Sequence, residues 1–157
     1  MPSSPAPTLV LGIGNILMAD DGVGARVVEE LEKLGDRSFP ASVDLVEGGT
    51  SGLALVDLLE GRRKVIVIDA IHGGGEPGSI HRLAPEDLDE RGSAAVSLHD
   101  FGLPDALQMA RQLGSAPTEV VIFGIVAKEI CPRLELSPEV ARAVPEAVKL
   151  VLEELAR

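Results

Sequence analysis

Leu9-Val10-Leu11-Gly12-Ile13-Gly14-Asn15-Ile16-Leu17-Met18-Ala19-Asp20-Asp21-Gly22-Val23-Gly24 decides the fold, because an apolar strand pattern runs straight into glycines, an amide and two adjacent carboxylates. The unbroken apolar run up to Ile13 reads as a strand covered on both faces. Beyond Gly22, residues Val23, Val27, Leu31 and Leu34 recur every three or four positions and share one face of a helix.

The same alternation continues outward. Thr8 to Ile13, Ser42 to Val46, Lys64 to Asp69 and Glu119 to Ile125 are short runs of Val, Ile and Leu, of which at least three are expected to lie parallel. Leu103, Leu107, Ala110 and Leu113 mark a second helix face. Gly78 to Leu83 is less apolar and suits an edge or antiparallel strand, whereas Ala84 to Ser93 is polar and reads as an irregular connection or lid. Ser137-Pro138-Glu139 places an N-cap before a first-turn proline, and Val140, Val144, Val148, Val151, Leu152 and Leu155 follow on one helix. Pro145 predicts a kink there, or a short helix followed by a longer one. The pattern predicts a three-layer α/β sandwich, phosphorylase/hydrolase-like, with a mostly parallel twisted sheet of about five strands and helices on both faces. One domain is expected over residues 1–157, with residues 1–7 a flexible tail.

Composition narrows the function classes. Twenty-five acidic against fourteen basic residues give a net charge of -11, which repels polyphosphate backbones, and the chain has no Trp or Tyr and three Phe for base stacking. Nucleic acid is therefore a poor partner; cations or a protein surface suit the chain better. No apolar run approaches the ~20 residues that span a bilayer, so no membrane association is expected. The opening residues lack a secretory pattern, and the single Cys131 offers neither a disulfide nor a Cys-x-x-Cys framework, which together indicate a cytoplasmic protein.

In open α/β sheets, ligands gather at the carboxyl ends of the strands. Asp20 and Asp21 follow the first strand, Asp69 closes the third, and His99 precedes a helix in Ser97-Leu98-His99-Asp100. An aspartate before Gly22 can cap a helix; of the pair, Asp20 suits that role or the bracing of its loop, which leaves Asp21 to face a ligand. Asp69 would be costly to bury without a cation or hydrogen-bond donors, although a turn onto the backbone of Ala70 to His72 would also serve it. His72 competes with His99 for one role, whereas His81 alternates within a strand and reads as structural. Two carboxylates and an imidazole suit a borderline divalent cation.

Gly12-x-Gly14 also invites a dinucleotide reading, with Asp44 near the end of the second strand standing for the ribose-binding acid. Leu17 occupies the position of the third glycine, and the acidic pair puts negative charge where a pyrophosphate would approach. A Rossmann-like nucleotide module is therefore the weakest reading. No Gly-x-Ser-x-Gly elbow is present to support a covalent mechanism.

The Gly12 to Gly24 segment resembles the signature of the nickel-iron hydrogenase maturation endopeptidases, and the likeness continues in order. Glu47-Gly48-Gly49-Thr50-Ser51-Gly52 is similar to that family's Gly-Gly-Thr loop, followed by Asp69-Ala70, His99 and Leu136-Ser137-Pro138-Glu139-Val140. The resemblance implies Asp21, Asp69 and His99 as metal-meeting residues, with Asp21 and Asp69 sharing the catalytic role as base, ligand or both. It implies Gly48, Gly49, Thr50 and Asn15 at a peptide cleft, and Asp20, Gly12 and Gly14 in support. The implied reaction removes a short C-terminal extension from a hydrogenase large-subunit precursor after nickel insertion. The nickel would be presented by the substrate, and another divalent metal could take its place in vitro. A monomer that docks transiently is implied, and a non-enzymatic nickel-sensing chaperone or docking module with the same ligands is the alternative. After Phe123-Gly124-Ile125 the chain reads Val126-Ala127-Lys128-Glu129-Ile130, where many relatives carry glutamine or glutamate and proline, so the hydrogenase class served stays open.

Overall fold

A computed structural model describes residues 4–35, 39, 42–49, 52–91 and 102–157. Five strands form one sheet in the order β2-β1-β3-β5-β4: β1 is Thr8–Ile13, β2 Val43–Gly49, β3 Lys64–Ile71, β4 Ile80–Leu83 and β5 Glu119–Val126. The first three and β5 run parallel, and β4 lies antiparallel at the edge beside β5. Among the described residues the α-helices are α1 Val23–Lys33, α2 Gly52–Leu59, α3 Pro85–Arg91, α4 Leu103–Gln112 and α5 Pro138–Leu155.

Every residue of β1 and β3 is buried, and alternate side chains feed two cores. Val10, Ile66, Ile68, Phe123 and Ile125 pack under α1 and α5, while Leu9, Leu11, Val65, Val67 and Ile122 meet α2, α4 and Leu88 of α3. Coverage on both faces explains why these strands read as continuous apolar runs. The first crossover leaves β1 through α1 toward β2, and the second returns past β1 to β3. The carboxyl ends of β1 and β3 therefore form a topological switch point, where the sheet opens a crevice for ligands.

Glycines let α1 lie directly on this junction. A Cβ on Gly12 would stand 2.5 Å from the Gly24 carbonyl oxygen, and one on Gly24 would run into the carbonyls of Ile68 and Ile13.

Four expectations need correction. Residues 85–91 form α3 in place of an irregular connection; the Asp87 carboxylate accepts the Ala84 N–H at 2.9 Å and fixes its first turn. The last helix is one element through Pro145, so the reading of a short helix followed by a longer one falls; Pro145 faces solvent together with Ala141, the residue whose carbonyl loses its partner, so water can serve that oxygen. The chain at Ala6 and Pro7 is pinned, not loose: Ala6 N donates to Asp44, Arg62 donates to the Ala6 carbonyl, and Pro7 O accepts from Arg63 and Lys64. Finally, β2 runs on to Gly49, so Gly48 and Gly49 end a strand.

At the opposite pole from the switch point, Lys64 is buried with Glu154 of α5: Nζ lies 2.9 Å from Oε2, 3.3 Å from the Glu154 carbonyl and 3.2 Å from Glu119. Arg82 of β4 holds the other carboxylate oxygen at 2.9 Å. Burial alone would raise the Glu154 pKa, yet the bonds from Lys64 and Arg82 bring it below the ordinary glutamate value.

Candidate active site

Asp21 and Asp69 come to the switch point from two elements, the turn after β1 and the strand β3. Asp69 lies inside β3, two residues before its end and 2 % exposed; Asp21 lies in a 3-10 turn, Ala19–Gly22, that packs against β3, and is 4 % exposed. The turn after β1 is organised by Asn15 and Asp21 together. Asn15 N donates to Asp21 Oδ2 at 2.8 Å, and Asn15 Oδ1 accepts the Leu17 N–H at 2.9 Å. Gly14 adopts φ +132°, and a side chain there would overlap the Asp21 carbonyl oxygen, so the turn can close on Asp21 because no Cβ intervenes. Ala19, at φ 51°, is the one non-glycine in the left-handed region among the described residues; its N–H is held by the Arg133 carbonyl at 2.6 Å.

Asp20 does not cap α1, whose first turn receives no side-chain bond. Its carboxylate is fully buried and turns to the segment between β5 and α5, accepting the Lys128 and Glu129 N–H groups at 2.9 Å each, the Ser137 N–H at 2.7 Å and the Ser137 hydroxyl at 2.9 Å. Burial would raise its pKa, but these bonds, led by that from Glu129, bring it below the usual aspartate value. Ser137 is the N-cap residue of α5, yet its hydroxyl donates to Asp20 and makes no cap bond. Nothing in the spacing of the sequence signals this tie.

A cavity of about 340 Å3 opens beside the turn, lined by Gly12, Gly14, Asn15, Ile16, Ala25, Glu47 and Gly49. Gly49 is open on its Cβ side with φ +61°, whereas Gly48 backs onto Leu11 and Leu55, so the glycine pair has one face to the cavity and one to the core. Burial, then the carboxylates of Glu29 and Glu32, hold the Glu47 pKa above its ordinary value. Thr50 and His99 lie outside the described residues. Among the described residues no three His, Cys, Asp or Glu side chains gather as a metal site. His72 stands exposed past β3, and His81 sits within β4 opposite Gly124.

Asp44 occupies the second position of β2, at the amino-terminal end of the sheet, where it pairs with Arg62 and holds Ala6. It is thus at the wrong pole for a ribose, and the Gly14 turn is filled by Asp21 where a pyrophosphate would sit. The dinucleotide reading falls on both counts.

The sequence profile of the hydrogenase maturation proteases matches residues 25–154. The chain belongs to this family. It is 33% identical over 148 residues to the hydrogenase 2 maturation protease of Escherichia coli K12, covering 94% of this chain and 89% of that relative. It is 36% identical over 154 residues to a putative hydrogenase maturation protease of Methanocaldococcus jannaschii, covering 94% and 95%. Its fold superposes on the hydrogenase maturating endopeptidase HybD of E. coli with a TM-score of 0.82 at 30% identity, over 95% and 91% of the two chains. Like other hydrogenase maturation proteases, the protein is a peptide hydrolase built on a five-stranded, mostly parallel sheet. No described helix is long and apolar enough to cross a membrane.

Proposed function

We propose that this protease removes a C-terminal extension from the precursor of a nickel-iron hydrogenase large subunit after nickel has been inserted, in the cytoplasm and as a monomer that docks transiently. One observation carries the reading: two carboxylates, Asp21 and Asp69, no more than 4 % exposed, come to neighbouring strand ends at the switch point of a maturation-protease fold. Carboxylate oxygens at this position suit a nickel ion arriving with the substrate. His99 supplies the third donor, an imidazole suited to nickel.

Nickel here belongs to the substrate, not to the protease. It would mark the precursor as loaded and would polarise groups close to the bond that breaks. The chain's own residues do the rest. Asp21 and Asp69 meet the metal, and one of them takes the proton of the attacking water and passes it to the leaving amine. Asn15 and Gly49 border the cleft in which the peptide lies, beside Gly12 and Gly14, while Gly48 backs this wall from the core side and Asp20 holds the turn; Thr50, which follows Gly49 in sequence, is assigned to the same peptide-binding role.

The test is incubation of purified protein with nickel-loaded precursor, read by intact mass. Loss of one discrete C-terminal fragment is expected, with nickel-free precursor left whole. Asp21→Asn and Asp69→Asn should each slow cleavage by about 100-fold or more. Wild-type rates in both variants would remove these residues from the site.

A further inference from the structure

The sheet ends on one side at β2, and among the described residues no strand pairs with its outer edge. Thr8 N donates to the Ser42 carbonyl and Gly14 N to the Gly49 carbonyl, which fixes which groups of β2 face β1. Because successive residues of a strand point their N–H and C=O to opposite sides, those of Val43, Leu45 and Glu47 face outward. Exposed edges are commonly blocked by lysine or proline, and Val43-Asp44-Leu45-Val46-Glu47-Gly48-Gly49 contains neither. The irregularity in its pairing comes late, where Gly12 pairs with Glu47 and Ile13 with Gly49, at the cavity end.

We propose that the outer edge of β2 receives an extended segment of the polypeptide substrate as an added strand and leads it over Gly49 into the cavity beside Asn15 and Asp21. The occupant follows from the activity: a peptide hydrolase must hold its substrate backbone extended near the bond it cuts. It follows also from continuity, since Glu47 and Gly49 belong both to the strand and to the cavity wall, and Asn15 on that wall is bonded to Asp21. Strands lie ~4.8 Å apart, so an added strand runs about 12 Å from the gap between β1 and β3, a distance that about four residues bridge. Pairing along Val43 to Glu47 takes about five more. Recognition therefore reaches about nine residues from the cleaved bond.

This rests on the proteolytic reading of the Asp21 and Asp69 site, and the experiment separates the two. Amide exchange of the Asp69→Asn protein is followed by NMR with and without nickel-loaded large-subunit precursor. Exchange at Val43, Leu45 and Glu47 should slow at least tenfold, while the β4 edge, Ile80–Leu83, stays unchanged; unaltered exchange at all three overturns the docking proposal. If these amides slow yet wild-type protein never shortens the precursor, docking stands and the proteolytic reading falls. Leu45→Pro removes an outward N–H without touching the ladder to β1, and Leu45→Ala keeps that N–H and accounts for the lost side chain. The proline variant should lose about tenfold more kcat/KM than the alanine variant, through KM. Equal losses in two folded variants would overturn the added strand.

Discussion

The Ser137 N–H donates to Asp20 Oδ1 at 2.7 Å across 117 residues of chain, and the Ser137 hydroxyl reaches Oδ2 of the same carboxylate at 2.9 Å. With Lys128 and Glu129 on that carboxylate too, the turn carrying Asp21 and the start of α5 are a single hydrogen-bonded unit. Asp20→Asn turns an acceptor into a donor facing a buried N–H and should cost about 2–4 kcal/mol in urea unfolding. Ser137→Ala loses one of four bonds and should cost about 1 kcal/mol. Equal costs would mean that the backbone donors contribute nothing.

Acid should loosen this tie. The Asp20 pKa is lowered in the folded protein, as is that of Glu154, so between folded and unfolded values the unfolded chain binds more protons and stability rises with pH. Both contributions are complete above the unfolded values near pH 4 and drain away as pH falls through the lower folded ones. Urea midpoints between pH 2 and 6 should fall less steeply for Asp20→Asn than for the wild type; identical slopes would contradict the assignment.

Gly14→Ala should be more damaging than an ordinary surface change. Its backbone sits at φ +132° and its Cβ direction is filled by the Asp21 carbonyl, so the turn must move. A loss of about 2 kcal/mol or more in stability is expected, and cleavage should fall further than stability because Asn15 and Asp21 shift together. The companion Gly35→Ala, at φ +78° with open space around it, should cost about 1 kcal/mol. Comparable effects at the two sites would show that Gly14 contributes backbone freedom alone.

Removing one partner of the ion pair at the other pole should cost more than removing both. Lys64→Met leaves the 3 % exposed Glu154 with Arg82 and, at 3.9 Å, Arg157, and Glu154→Leu leaves Lys64 with Glu119, so each single change should cost about 3 kcal/mol. The double variant should be more stable than either single one, because no charge is then left buried without its partner. Thermal midpoints decide the point.

The architecture was legible where residues reported their own surroundings. The apolar runs of β1, β3 and β5 announced coverage on both faces, and the weaker Gly78 to Leu83 announced the antiparallel edge. Helix α2 was missed, since Leu53 to Leu59 is short and, Asp57 apart, apolar throughout, too little to show a period, and α3 was missed because it is mostly polar. Asp69 was visible as a carboxylate ending an apolar run. The role of Asp20 was not, because cap reasoning weighs donors within four residues, and its donors lie 108 to 117 residues away. Asp44 was placed near the end of a run read as stopping at Val46; β2 continues to Gly49, so Asp44 is its second residue and lies at the far pole.

Lys64 is made 90 residues before Glu154, its buried partner. A ribosome adds about 5–20 residues each second, so the ammonium waits roughly 5 to 20 s for that carboxylate. Burying it alone would cost several kcal/mol. Before Glu154 arrives the ammonium has Glu119 of β5 to meet, so the amino-terminal end of β3 should keep its access to water until α5 packs over it and seals the pair.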